Sequence, residues 1–403
     1  MLEGSIGEVL SFSLALFTAA VLGFFFRRWL RSRPTLPTKI PEVKITDLPL
    51  EIIFLSLSEE VSFHAETPRV EAQSHAWQTR MLACGKVFDR QGVRCVRFLH
   101  GTFAGSDPIN VLPPLRLLMP QLTGRFQGKI ESLMKSTIDH LAGDNGNFVP
   151  AYIECFRNGL AFSSDIGLFQ WTSGNHHLAR LEAALRLIDT LSVMPMKAND
   201  RTLLIGHSHA RQVFALFTHL VSLSPLGLSL WQLASEEKFG LASQKEKARS
   251  IHKYKIDFVT LGGPIRYPWT ALPEMRVLHL VNHRGPSPEA QFPLDFLMTK
   301  GGDYMQQWGG VGSDAIATTS QERAINRRLD TVLGIGWDAR VWIDAQKSRR
   351  RVGDFGRTLL IDFKDQARWR PNCHRSLFGH GAYTRLSAQL FLCELLVEHL
   401  YQA

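Results

Sequence analysis

Cysteine is scarce and carries no pairing pattern: Cys84, Cys95, Cys155, Cys373 and Cys393 are odd in number and include no C-x-x-C spacing. That argues against a disulfide framework and against a cysteine-built zinc site, and it fits a reducing compartment. No metal and no cofactor is expected. Low-complexity tracts and internal repeats are lacking, which removes solenoid and propeller architectures. No basic stretch interleaved with aromatics and no groove-reading motif is present, so the net charge of +9 does not point to nucleic acid. Long apolar runs are also missing, with one exception, and that excludes a multi-span membrane protein. With 45% hydrophobic and 21% charged residues, the bulk of the 403-residue chain has the composition of a globular domain.

The exception is Val9 to Phe26, a run without a charged residue. As a helix it is about 27 Å long, close to the thickness of a bilayer core. Arg27, Arg28, Arg31 and Arg33 follow at once, whereas only Glu3 and Glu8 come before it. The positive-inside bias then places the C-terminal side in the cytoplasm, as a single-pass anchor in the cytoplasmic membrane. A cleaved secretory signal carries its basic residues on the other flank. A second basic knot, Lys347, Arg349, Arg350 and Arg351, reads as a solvated helix face in preference to a lipid contact. Pro34, Pro37 and Pro41 form a stiff linker. The expected division is an anchor and juxtamembrane segment over 1–33, a linker over 34–42 and one domain over 43–403. Nothing in the sequence sets an oligomeric state.

Within the domain, short apolar runs alternate with amphipathic stretches. Strands are expected at Ile52 to Leu57, Val93 to Leu99, Ile166 to Trp171, Thr202 to Ile205, Ile256 to Leu261, Val277 to Val281 and Thr358 to Asp362. Leu178 to Leu191 repeats apolar residues at helical spacing. This alternation predicts an α/β protein, a mostly parallel sheet with helices on both faces. Asn282 to Arg357 is too long for a turn and must carry structure of its own. A helix is expected there over Ser320 to Leu333, which starts at a capping residue and has Glu322 in its first turn.

Thr202 to Ala210 reads TLLIGHSHA, an apolar strand, a turn and then a helical run from Gln212 to Leu223. Small residues two before and two after Ser208 allow strand and helix to approach while the serine oxygen stays exposed on a strained bend. Ser208 is therefore the candidate nucleophile, and the competing reading is a serine that merely caps a helix. The amide of His209 is the first candidate oxyanion donor. The second is the amide of Thr102, in the HGTFAGSDP turn that follows the strand ending at Leu99.

In a strand–serine–helix architecture of this kind the acid and then the histidine follow the serine along the chain. After the last strand come His374 and His380, and His380 is favoured because Gly379 and Gly381 let the backbone present it. For the acid, Asp295, Asp303 and Asp314 are available. Asp303 in GGDYMQQWGG is preferred, with glycines for a turn and Tyr304 and Trp308 to bury its carboxylate; Asp295 is the runner-up. Asn175 and Arg180 fall beyond a strand end on the same rim and are candidates for binding a polar substrate group. The alternative for Arg180 is an ion pair with Glu182 on its own helix.

HGTFAGSDP, WTSGNHHLAR at Trp171 to Arg180, GHSHA, VTLGGP at Val259 to Pro264 and GHGAYTR at Gly379 to Arg385 together make the chain resemble the lipase and esterase branch of the α/β-hydrolase superfamily. The resemblance runs from about Arg94 to Leu400 and is closest to membrane-anchored bacterial members. It implies an α/β-hydrolase fold and an acyl-enzyme on Ser208. Arg211 departs from the pattern, being bulky where such turns often carry a small residue. The expected function is hydrolysis of a carboxylic ester, small or lipid, at the membrane surface. Thioester or amide cleavage by the same residues, or a catalytically inactive scaffold for a membrane partner, are the alternatives.

Overall fold

The computed structural model describes residues 51–56, 74–107, 110–197, 199–237, 242–283, 302–309, 317–333, 355–363, 377 and 379–402. The apolar run, the proline linker, the second basic knot, Asp295, Asp314 and His374 lie outside the described residues.

Seven strands form one sheet: β1 (Glu51–Ser56), β2 (Val93–Leu99), β3 (Asp165–Phe169), β4 (Arg201–His207), β5 (Lys255–Leu261), β6 (Arg276–Asn282) and β7 (Arg357–Asp362). Every neighbouring pair is parallel, and the order is β1-β7-β6-β5-β4-β2-β3. The expected mostly parallel sheet is thus wholly parallel among the described residues. Parallel strands need crossovers, and the helices that supply them cover both faces. On one face lie α5 (His177–Ser192), α6 (Ala210–Ser222), α7 (Pro225–Glu236), α8 (Ala242–Ile251) and α10 (Ser320–Leu333). On the other lie α1 (His75–Arg90), α4 (Pro150–Leu160) and α11 (Gln389–Leu396). Helices α2 (Leu112–Leu118) and α3 (Pro120–Ala142) follow β2, and the short α9 (Tyr304–Trp308) follows β6.

The period of two along a strand divides the core between these layers. Leu204 of β4 joins the first layer with Phe214 and Phe258, whereas Leu203 and Ile205 join the second with Val259 and Leu278. All seven residues of β4 are buried, as its place inside the sheet requires. Each such Leu or Ile contributes about 1.5–3 kcal/mol by leaving water. Helix α10 begins with reciprocal capping: Thr319 Oγ1 accepts from the Glu322 amide at 3.1 Å and Glu322 Oε2 accepts from the Thr319 amide at 3.0 Å. The cap is Thr319, one residue before the serine expected to open the helix.

Chain direction reverses between β2 and β4. From β2 the chain winds outward to β3, then returns across β2 to begin β4 and continue toward β5, β6 and β7. At such a switch point the connections after neighbouring strands diverge and leave a crevice at the carboxyl ends.

Candidate active site

Strand register brings the first two segments of the site together. Leu99 pairs with Gly206 at the ends of β2 and β4, so His100–Thr102 leaves the sheet beside His207–Ser208. The approach leaves no room for a side chain at Gly101, where a Cβ would lie 2.5 Å from Ser208 Cβ and 3.2 Å from Ser208 Oγ. Ser208 is held at φ 56, the left-handed region that costs a non-glycine residue roughly 1–2 kcal/mol. The surroundings that impose this conformation are visible. Its amide donates to Leu261 O at 2.9 Å, its carbonyl accepts from the Arg211 amide at 3.1 Å, and α6 starts two residues on. Gly206 permits the bend, because a Cβ there would lie 2.5 Å from the Phe214 ring and 2.8 Å from Ala210 Cβ.

The other half of the site is built from segments far apart in sequence. The Asp303 amide donates to Asn282 O at the end of β6, 2.8 Å away, and Asp303 caps α9 by accepting from the Gln306 amide at 2.8 Å. Its carboxylate, 0% exposed, accepts the Nδ1–H of His380 at 3.0 and 2.9 Å on its two oxygens. Tyr383 adds a third donor: its hydroxyl gives its hydrogen to Asp303 Oδ2 at 2.8 Å and accepts from the Asn282 amide at 2.6 Å. Gly262, at φ 59, lies directly against the carboxylate, and a Cβ there would lie 2.6 Å from the Tyr383 ring. Gly262 and Tyr383 therefore both lie against the carboxylate. The glycines flanking His380 both sit where a side chain would not fit. Gly379 adopts φ 84, with no space for a side chain against Gly302 O, and Gly381 packs directly on Asn145.

These links form a circuit around the serine. Ser208 is bonded to Leu261; Gly262 contacts Asp303; Asp303 holds His380; and the His380 ring lies 4.3 Å from that of His207, the residue before Ser208. Among the described residues, the amides of Thr102 and His209 donate to no protein acceptor. The imidazoles of the residues on either side of Ser208, His207 and His209, are kept neutral. Burial, and then the neighbouring His380, push His207 down to about 3. Burial with Arg180, His380 and Arg266 pushes His209 well below the ordinary histidine range, against the Gly309 carbonyl that its Nε2–H meets at 3.0 Å.

Comparison with protein families, with curated proteins and with solved structures finds no match. The geometry stands on its own.

Of the remaining candidates, Asn175 and Arg180 engage each other, with Arg180 Nη2 donating to Asn175 Oδ1 at 2.8 Å. Arg180 Nη1 donates to the Tyr267 hydroxyl at 3.1 Å, so the pair with Glu182 expected as the alternative is replaced by these partners. Tyr267 in turn meets His177 Nδ1, and His177 Nε2 meets Asp330 Oδ1 at 2.7 Å. Burial would raise the Tyr267 hydroxyl, but His177, Arg180 and Arg266 together bring it below the usual tyrosine value. Arg211 is 1% exposed, with its guanidinium 5.7 Å from the Trp269 ring and its stem against Gly263. The large residue is accommodated by a glycine opposite it, which resolves the packing question it raised.

Sequence reasoning missed Tyr383 and His207. Tyr383 stands three residues after His380, and a buried tyrosine needs a partner for its hydroxyl. That need was legible, but the partner was not.

Proposed function

We propose that the chain is a serine hydrolase of the α/β-hydrolase type, cleaving carboxylic esters, with Ser208 as nucleophile, His380 as base and Asp303 as the orienting acid. The observation that carries this reading is the buried Asp303–His380 pair on a circuit that closes at a serine held at φ 56. A serine that served only as a helix cap has no need of that backbone strain or of a paired imidazole close by.

The chemistry follows from the protonation states. With Asp303 ionised, His380 Nδ1 carries the hydrogen and Nε2 is free to accept the proton of Ser208 Oγ. The serine oxygen attacks the ester carbonyl, and the oxygen of the tetrahedral intermediate accepts hydrogen bonds from the amides of Thr102 and His209. Loss of one such donor typically costs about 3 kcal/mol of transition-state stabilisation. His380 then gives its proton to the leaving alkoxide, water enters, and the same imidazole activates it to hydrolyse the acyl-enzyme. Read as an anchor, the apolar run at Val9 to Phe26 supports a substrate met at a membrane surface, such as a lipid-borne or membrane-partitioned ester.

Labelling of the full chain with a fluorophosphonate probe tests the reading. Modification of the wild type, and none of Ser208→Ala at equal melting temperature, is the expected result. An unlabelled but folded wild type removes the assignment and leaves a scaffold that binds without catalysis.

A further inference from the structure

His207 takes no part in the steps above, yet it is 1% exposed and bonded directly to the histidine loop. Its Nε2 lies 2.9 Å from the main-chain oxygen of His380. A carbonyl only accepts, so Nε2 carries the hydrogen. The two rings are 4.3 Å apart and inclined at 44°. The other restraints on the loop come from elsewhere: the His380 amide donates to Leu377 O at 3.1 Å, Asn282 Nδ2 donates to Gly379 O at 2.9 Å, and Asp303 takes the Nδ1 hydrogen. Among these bonds, only that of His207 originates on the turn that carries the nucleophile.

We propose that His207 is a positioning residue whose Nε2–H, one peptide unit from Ser208, sets the distance and angle at which His380 meets the serine oxygen. The proposal rests on reading Ser208 and His380 as nucleophile and base. Misplacing a base by about 1 Å costs about 100-fold in rate, so a direct tie between the two turns has a kinetic value that packing alone would not supply. The titratable groups around His207 are His380, Asp303 and Tyr383. Asp303 bonds to His380 and lies on that side of the ring pair, so the proton released by Ser208 stays on His380 while His207 remains a neutral donor.

The test uses the full chain in detergent with His207→Ala and His207→Gln. Two readouts are taken: the rate of fluorophosphonate labelling as a function of pH, and the low-field proton resonance of His380 Nδ1–H, assigned by its loss in Asp303→Asn. In His207→Ala the labelling rate falls about 100-fold, its pH midpoint moves, and the resonance shifts or broadens. In His207→Gln, whose amide N–H reaches toward the same carbonyl, the rate returns to within about tenfold of wild type and the resonance recovers. A folded His207→Ala with wild-type rate, pH profile and resonance overturns the proposal. Equal losses in both variants with a lowered melting temperature overturn it too, since they describe packing alone. A wild type that is never labelled, but whose resonance still responds to His207→Ala and recovers in His207→Gln, discards the hydrolase reading and keeps the tie.

Discussion

The two halves of the site are held by different physics. The nucleophile turn is made of consecutive residues between β4 and α6, and its shape follows from covalent connection and from the absence of side chains at Gly206 and Gly101. The acid and the imidazole belong to segments separated by 77 residues and joined by side-chain hydrogen bonds to a buried carboxylate. Steric contacts are short-ranged and unforgiving, whereas a network of polar bonds loses its members one at a time. The halves should therefore fail differently, the first in folding and the second in catalysis.

The largest effect is expected at Gly206. In Gly206→Val the new atoms meet the Phe214 ring and Ala210, both fully buried, and thermal unfolding should show a loss above about 3 kcal/mol or no folded protein. A well-folded Gly206→Val would break the comparison. Next is Asp303→Asn, in which the amide can hold His380 in the wrong tautomer. Ester hydrolysis should fall by about 10⁴-fold with little change in melting temperature. Smaller again is Tyr383→Phe, which keeps the ring but removes the charge-assisted bond to Asp303 and the acceptor of the Asn282 amide; kcat should fall by roughly tenfold to a hundredfold, with KM nearly constant. An unchanged kcat would confine Tyr383 to packing.

The smallest effect per group, though shared by several, concerns acid. Burial holds His100, His207 and His279 down to about 3 and His219 down to about 4. Unfolded histidines titrate near 6.5. Between those values the unfolded chain binds protons that the folded chain refuses, so stability is intact above about pH 6.5 and declines as pH falls toward 3. Each group contributes up to about 1.4 kcal/mol per pH unit in that window. Asp257, raised to about 6, and Glu182, raised to about 7, both by burial, act in the opposite sense between about pH 4 and 7. Because the imidazoles outnumber these two carboxyls, the melting temperature should fall from pH 7 to pH 5. A flat profile would mean that these imidazoles are hydrated in solution.

All seven strands lie where alternating apolar runs placed them, because burial on both faces writes itself into composition. β3 ends at Phe169, earlier than the expected Trp171, for a reason that periodicity does not carry. Trp171 is used outside the sheet, its indole donating to His100 O at 2.9 Å and its carbonyl accepting from the Ser106 amide. Strand order was illegible for the same reason: apolar runs report burial and say nothing about neighbours. Within the site, Ser208 could be read from local spacing. Chain order narrowed the acid to three aspartates and the glycines before Asp303 favoured it, but the hydrogen bond from Tyr383, 80 residues further along the sequence, was not legible. Contacts of that span leave no periodic trace.

The edge of the sheet carries a consequence for biogenesis. β1 pairs with β7, Glu51 opposite Arg357, so β1 must wait until β7 has emerged before it finds its neighbour. In the meantime β2 to β5 can assemble from segments already made, and the serine bend takes shape while its base has yet to be translated. A ribosome-bound chain would therefore hold the Ser208 bend before the segment that carries His380 is released.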